Sequence, residues 1–274
     1  MRDPFGIRRR EFAQRMAAGW LLLATCAARG QPASPDAAPD PGPSELRRAR
    51  REFQAMVLAA SLLDLDARAA FANVAINGCV AYALDPACAP GGDVWSTPFE
   101  TLARGAGDCE DFAIAKFYLL VASGAPREGV RLLYAIRRWP DRAAKPQPHL
   151  VTVAGWPLAD PCVLDSVNPL VAPLSQRGDL EPLFSFDDRT IWPGVEPMPL
   201  PGRRRRIDRW QTTQARTLRQ AQEAQEGQEG QHERRSACLT PTETPGVRST
   251  ACIERRRAMR ANSSTAPTWI SGAS

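Results

Sequence analysis

The chain has only two histidines among its 274 residues, no CxxC pair and no His-rich cluster. Nothing in it therefore suggests a zinc site. The apolar stretch 16–28 is too short to cross a bilayer as a helix. Basic residues interleaved with aromatics are missing from the middle of the chain, which excludes a nucleic-acid-binding domain there. The net charge of +5 misleads on this point, because residues 1–30 carry +4 and residues 203–274 carry +7, leaving −6 for 31–202. Seven cysteines fit a protein that leaves the cytosol but form no regular framework. Cys26 lies near the N-terminus, and Cys238 and Cys252 lie near the C-terminus. Cys79 and Cys88 are close enough to form a small-loop disulfide or to remain two thiols.

What the ends contain reads as targeting and tail. Arg8, Arg9, Arg10 and Arg15 precede the apolar run around Trp20, and Ala28-Arg29-Gly30 offers a small-x-small cleavage site. Residues 1–30 are read as an export signal, with weak likenesses to a twin-Arg signal at Arg9-Arg10 and to a lipoprotein site at Cys26. Residues 31–45 are a Pro/Ala/Asp-rich leader, 46–210 the folded domain, and 211–274 a low-complexity tail expected to be disordered.

Within 46–210 the periodicity predicts helices over Leu46 to Leu63 and from an Asp64 or Asp66 cap to Ala83, which would put Asn73 and Asn77 on one face. Thr97-Pro98-x-Glu100 is a capping box with proline at the first helical position. A further helix is expected from Asp108 to a stop at Gly124. Strands are expected over 130–139, 149–156 and 162–167, with a last structured segment from Leu180 to Trp192. The class is α+β: a helical layer packed on an antiparallel sheet.

The most informative run is Gly107-Asp108-Cys109-Glu110-Asp111-Phe112-Ala113. It places a cysteine where a loop becomes a helix, a position that favours thiolate through orphan N–H groups and the helix dipole. His232 lies in the Gln/Glu/Gly-rich tail, so His149 is the base by elimination if this is a Cys–His enzyme. Asp165 then orients it. A hairpin register centred on Pro157 sets His149 directly opposite Asp165, on one sheet face. The backbone N–H of Cys109 is one oxyanion donor, and Trp95 and the Asn73/Asn77 face are candidates for the second. Cys162 reads as a small core residue.

Asp108, Glu110 and Asp111 can be read as acids that stabilise the first helical turn by roughly 0.3–1 kcal/mol each. They also oppose ionisation of Cys109. A bound calcium ion would neutralise them and tie the helix start to its loop.

The Gly-Asp-Cys-Glu-Asp-Phe-Ala run resembles the bacterial transglutaminase-like cysteine proteinases, the group containing the LapG-type periplasmic proteases. The resemblance extends through Asn73, Asn77, Tyr82, Asp93-Val94-Trp95-Ser96-Thr97-Pro98-Phe99-Glu100, Leu132-Leu133-Tyr134, His149-Leu150-Val151, Leu164-Asp165-Ser166 and Pro182-Leu183-Phe184-Ser185-Phe186 to Trp192. Pro148 before His149 and the long tail depart from it. It implies a papain/transglutaminase-like fold and a Cys109–His149–Asp165 triad. It also implies a periplasmic, calcium-dependent endopeptidase, with Asp108 and Glu110 as calcium ligands and Asp111 either a ligand or a cap-region acid. By the same resemblance the substrate is the N-terminal region of a large surface adhesin, cleaved to control biofilm attachment. The restraining partner is an inner-membrane cyclic-di-GMP receptor of the LapD type. A transglutaminase or cell-wall peptide amidase shares the same triad, and a non-catalytic binding module is the remaining alternative, against which the intact triad argues.

Overall fold

The computed structural model describes residues 40–85, 94–139, 145–155, 160–196, 198 and 207–238. The export signal 1–30, most of the leader 31–45, Cys88, Asp93 and residues 239–274 lie outside the described residues. The chain divides into a unit through Thr217 and a second from Leu218.

Helix α1, Pro43–Ser61, starts inside the segment read as leader, with proline in its first turn and the Glu45 carboxylate accepting the Gly42 N–H at 2.7 Å. Phe53, Met56 and Ala60 recur at helical spacing and are buried. Helix α2, Leu65–Cys79, is capped by Asp64 rather than Asp66: its Oδ1 accepts the Ala67 N–H at 2.9 Å. Such a cap contributes about 1 kcal/mol. Arg68 closes the turn between the two helices by donating to the carbonyls of Ala60 and Leu63.

Strand β1, Ala81–Tyr82, stops α2 short of the expected Ala83 and pairs in parallel with β2, Ala106–Gly107. Between them lies α3, Pro98–Arg104, with the expected Thr97/Glu100 capping box, ended by Gly105 at φ 68°. β2 leads straight into α4, Cys109–Ala122. Gly124 follows at φ 91°, where a side chain would be strained. The sequence predicts one apolar stripe on α4, from Phe112 to Ala122, but nearly the whole helix is buried. It packs against α1, α2, α3, β3 and β4. A helix surrounded on all sides needs apolar residues all round.

The sheet is antiparallel in the order β6-β5-β4-β3-β7-β8. Its strands are β3 (Val130–Arg137), β4 (Gln147–Ala154), β5 (Cys162–Leu164), β6 (Ala172–Pro173), β7 (Leu180–Phe186) and β8 (Ile191–Pro193). Alternation along β3 and β4 places Leu133, Ala135, Val151 and Val153 in one core cluster with Val163 and Leu180. Thr152, of opposite parity, donates its hydroxyl to the Ala113 carbonyl at 2.7 Å and so ties β4 to α4.

Helix α5 spans Asp208–Cys238, whereas the sequence predicts disorder from 211. Low hydrophobicity does not bar helix in a stretch of Gln, Glu, Ala and Arg, all good helix formers. In its first turns Trp210 packs on Phe117, Tyr118 and Phe186, and its indole N–H donates to the Asp187 carbonyl at 2.9 Å. Thr213 donates to the Trp95 carbonyl at 2.8 Å. The folded domain therefore extends past 210, to at least Thr217. Among the described residues no helix is long and apolar enough to cross a membrane.

Candidate active site

Cys109 is the first residue of α4 and Asp108 its N-cap, so the sulfur sits at the positive end of a four-turn helix. Gly107 has a steric reason to precede them: a Cβ there would lie 2.5 Å from Asp111 Oδ2 and 2.7 Å from Asp111 Cβ. Asp111 is a structural anchor. Its Oδ1 accepts the Ser96 N–H at 2.8 Å, and its Oδ2 lies 3.9 Å from the Arg104 guanidinium, which also bonds the Ser96 hydroxyl. Burial and the neighbouring Asp108 push its carboxyl up to about 7, against the pull of Arg104 and Ser96.

The thiol of Cys109 donates to Glu110 Oε2 at 3.1 Å, and the Leu150 N–H points at the sulfur. The sulfur thus lies against β4 at the residue next to His149. Burial, followed by the Glu110 charge, pushes the thiol well above its ordinary range; Leu150 opposes this and Asp108 adds to it. Tyr82, half-exposed on β1, stands beside the same group. Its hydroxyl is pushed up to about 12 by burial and by the charges of Cys109, Asp108 and Glu110.

His149 and Asp165 are 5% and 0% exposed, and His149 Nε2 is 2.8 Å from Asp165 Oδ1. They share a face, as expected, but the register differs from the sequence reading. β4 and β5 pair Thr152 with Leu164 and Ala154 with Cys162, so His149 and Asp165 are two residues from direct opposition. β4 ends at Ala154 and is followed by Gly155 at φ 97°, and Trp156 lies outside the described residues. A slip of two preserves the face, and the diagonal is spanned by the two side chains and by Asp165 lying one residue beyond β5.

Sequence reasoning missed Arg177. Its Nη2 donates to Asp165 Oδ2 at 2.6 Å, while the Val167 N–H donates to Oδ1 at 3.0 Å. Burial opposes ionisation of Asp165. The hydrogen bond and charge of His149, with Val167 and Arg177, outweigh burial and hold the carboxyl well below the usual range. The Asn73/Asn77 face is committed elsewhere: Asn77 donates to the Asp165 carbonyl at 2.9 Å and Asn73 to the Pro169 carbonyl at 3.0 Å. These amides brace the loop after β5. Trp95 stacks its ring on Phe186, and its carbonyl accepts from Thr213 and Arg216. Cys162 is a free, half-buried thiol. Cys79 is disulfide-bonded, and the expected partner, Cys88, lies outside the described residues.

Asp108 and Glu110 are both buried, hard oxygen donors, and both charges act on the same sulfur. Their chemistry suits calcium, and together they supply up to four of its roughly six to eight oxygens. Asp111 is held by Ser96 and Arg104 instead. Among the described residues no group of three or more His, Cys, Asp or Glu is arranged as a metal cluster.

No family model matches the sequence, and no curated protein matches it. Solved structures do. Legionella pneumophila LapG is 23% identical, covering 72% of this chain and 96% of that one, with a TM-score of 0.53. Its EGTA-treated form is 24% identical over 72% and 96%, with a TM-score of 0.54. Its calcium-bound form is 24% identical over 74% and 98%, with a TM-score of 0.52. The fold of this chain is the LapG-like α+β fold.

Proposed function

We propose that the protein is a periplasmic cysteine endopeptidase with Cys109 as nucleophile, His149 as general base and acid, and Asp165 as the residue that orients His149. The observation that carries this reading is the buried His149–Asp165 pair at 2.8 Å, on the strand whose next N–H, that of Leu150, contacts the Cys109 sulfur.

With Nε2 engaged by Asp165, the other ring nitrogen, Nδ1, takes the thiol proton. The thiolate adds to the scissile carbonyl carbon, and the backbone N–H of Cys109 donates to the developing oxyanion. The imidazolium returns its proton to the leaving amine as the C–N bond breaks, which leaves a thioester. His149 then deprotonates a water that attacks the thioester, and the thiol is regenerated with release of the carboxylic acid. Asp165 stays ionised throughout and supports the imidazolium. Calcium held by Asp108 and Glu110 would supply positive charge beside the sulfur and so remove their opposition to the thiolate.

The substrate we propose is the N-terminal region of a large surface adhesin, and the restraining partner a cyclic-di-GMP receptor of the LapD type at the inner membrane. Support for both is the likeness in fold and motif to LapG. The test is to incubate the chain from Gln31 onward, in calcium, with a denatured-proteome peptide library and to sequence the new termini. The expected result is a consensus around a scissile bond that is absent with Cys109→Ala and with His149→Ala. No new termini, or the same termini from the Cys109→Ala variant, would overturn the reading.

A further inference from the structure

We infer that Arg177 is a positioning residue that locks the carboxylate of Asp165 in the orientation and charge state His149 needs; this rests on the site proposed above. Three features place it there. Arg177 is 4% exposed, and its Nη2 meets Asp165 Oδ2 at 2.6 Å, the one carboxylate oxygen that His149 and Val167 leave open. The guanidinium is itself fixed. Its Nε and Nη2 both bond Asp179, each at 2.8 Å, in a fork that holds the plane of the group. The backbone carrying it is tied down as well, since Arg177 N–H caps the turn Leu174–Gln176 at the Leu174 carbonyl and the Asp179 carbonyl accepts the Arg138 N–H.

The result is a chain of side chains each holding the next: His149, Asp165, Arg177, Asp179, with Arg137 of β3 at 3.6 Å from Asp179. Asp165 is fully buried, so without Arg177 its Oδ2 would be a desolvated anionic oxygen with no donor. Two escapes would open: rotation of the carboxylate away from Nε2, or uptake of a proton. Either one uncouples Asp165 from the imidazole. The charged groups acting on this carboxylate are His149 from β4, Arg177 from the turn after β6 and Lys116 from α4. Lysine in place of arginine keeps the charge but not the fork.

The test reads the imidazole directly, so it does not depend on peptidase activity. The chain has only two histidines, and His232 serves as the internal reference. The pH midpoint of the His149 ring is followed by NMR on full-length wild type, Arg177→Met, Arg177→Lys and Asp179→Asn. Loss of the guanidinium uncouples Asp165 from the imidazole and is expected to lower the His149 midpoint by at least half a pH unit, with His232 unmoved. Arg177→Lys should recover part of the shift, and Asp179→Asn, which leaves the Arg177–Asp165 contact in place, should give a smaller one. In the cleavage assay kcat should fall at least tenfold with KM within about twofold. An unmoved or raised His149 midpoint in folded Arg177→Met would overturn the inference. If that variant does not fold, an unmoved midpoint in both Arg177→Lys and Asp179→Asn would do so. A shifted midpoint in a protein that cleaves nothing would leave the positioning role standing and sink the peptidase reading instead.

Discussion

His149 and Asp165 bond at 2.8 Å although the β4–β5 register sets them two residues from direct opposition. The contact depends on Asp165 being held from three sides, by Val167, Arg177 and, through its carbonyl, Asn77. Asp165→Asn keeps the shape and removes the charge. The expected outcome is a fall in peptide cleavage on the order of 10⁴, the loss seen when a triad Asp is replaced by Asn. Cleavage within twofold of wild type would show that the acid has no orienting role.

Lys116 lies on α4 two turns past Cys109, is fully buried and has no hydrogen-bond partner among the described residues. Burial lowers its amine to about 7, against the attraction of Asp165. An unfolded lysine titrates near 10.4. Between about pH 7 and 10 the unfolded chain therefore binds the extra proton, and stability rises with pH across that window. Below pH 7 both states are charged and the full cost remains. Lys116→Met should stabilise the protein at pH 6, by up to about 5 kcal/mol, and the gain should vanish near pH 10. Urea unfolding at pH 6 and 9.5 measures both. A variant less stable than wild type at pH 6 would contradict this account.

Gly107 is required by the Asp111 side chain packed against its α-carbon. Gly107→Ala should cost roughly 1–3 kcal/mol through overpacking, seen as a clear drop in thermal midpoint. It should also displace the start of α4 and slow alkylation of Cys109. A midpoint within one degree of wild type would mean that the loop yields more readily than these distances allow.

Calcium bound by the native state raises its stability by mass action. Adding millimolar calcium to chelator-treated protein should raise the thermal midpoint. The double variant Asp108→Asn, Glu110→Gln should lose that response, while Asp111→Asn should retain it and lower the midpoint in all conditions, because Asp111 anchors Ser96. An equal calcium response in the double variant would remove Asp108 and Glu110 as ligands.

Local chemistry made much of this molecule readable. The Thr97/Glu100 box, an acidic cap at Asp64 or Asp66, the glycine stop at 124 and the helix starting at Cys109 all depend on neighbours within a few residues. Same-face placement of His149 and Asp165 was legible because alternation tolerates a slip of two; the slip itself left no mark in the sequence. Arg177 left no signal beyond Arg177-Gly178-Asp179 in an unassigned stretch between strand candidates. Its role is created by tertiary contact. Asn73 and Asn77 were correctly read as sharing a face, but what that face meets, the carbonyls after β5, is nonlocal. A closing helix turn up to Trp210 was legible, but its continuation past 210 was hidden by a composition poor in apolar residues; Trp210, by its ring and indole N–H, fastens the start of that helix to the domain.

The most direct measurement is the rate of iodoacetamide alkylation at Cys109 in calcium at pH 6, read by mass spectrometry beside Cys162, the other free thiol among the described residues. An activated nucleophile predicts labelling of Cys109 at least tenfold faster than Cys162, and loss of that advantage with His149→Ala. Equal rates at the two thiols, or a fast Cys109 that is indifferent to His149, would contradict the Cys–His assignment.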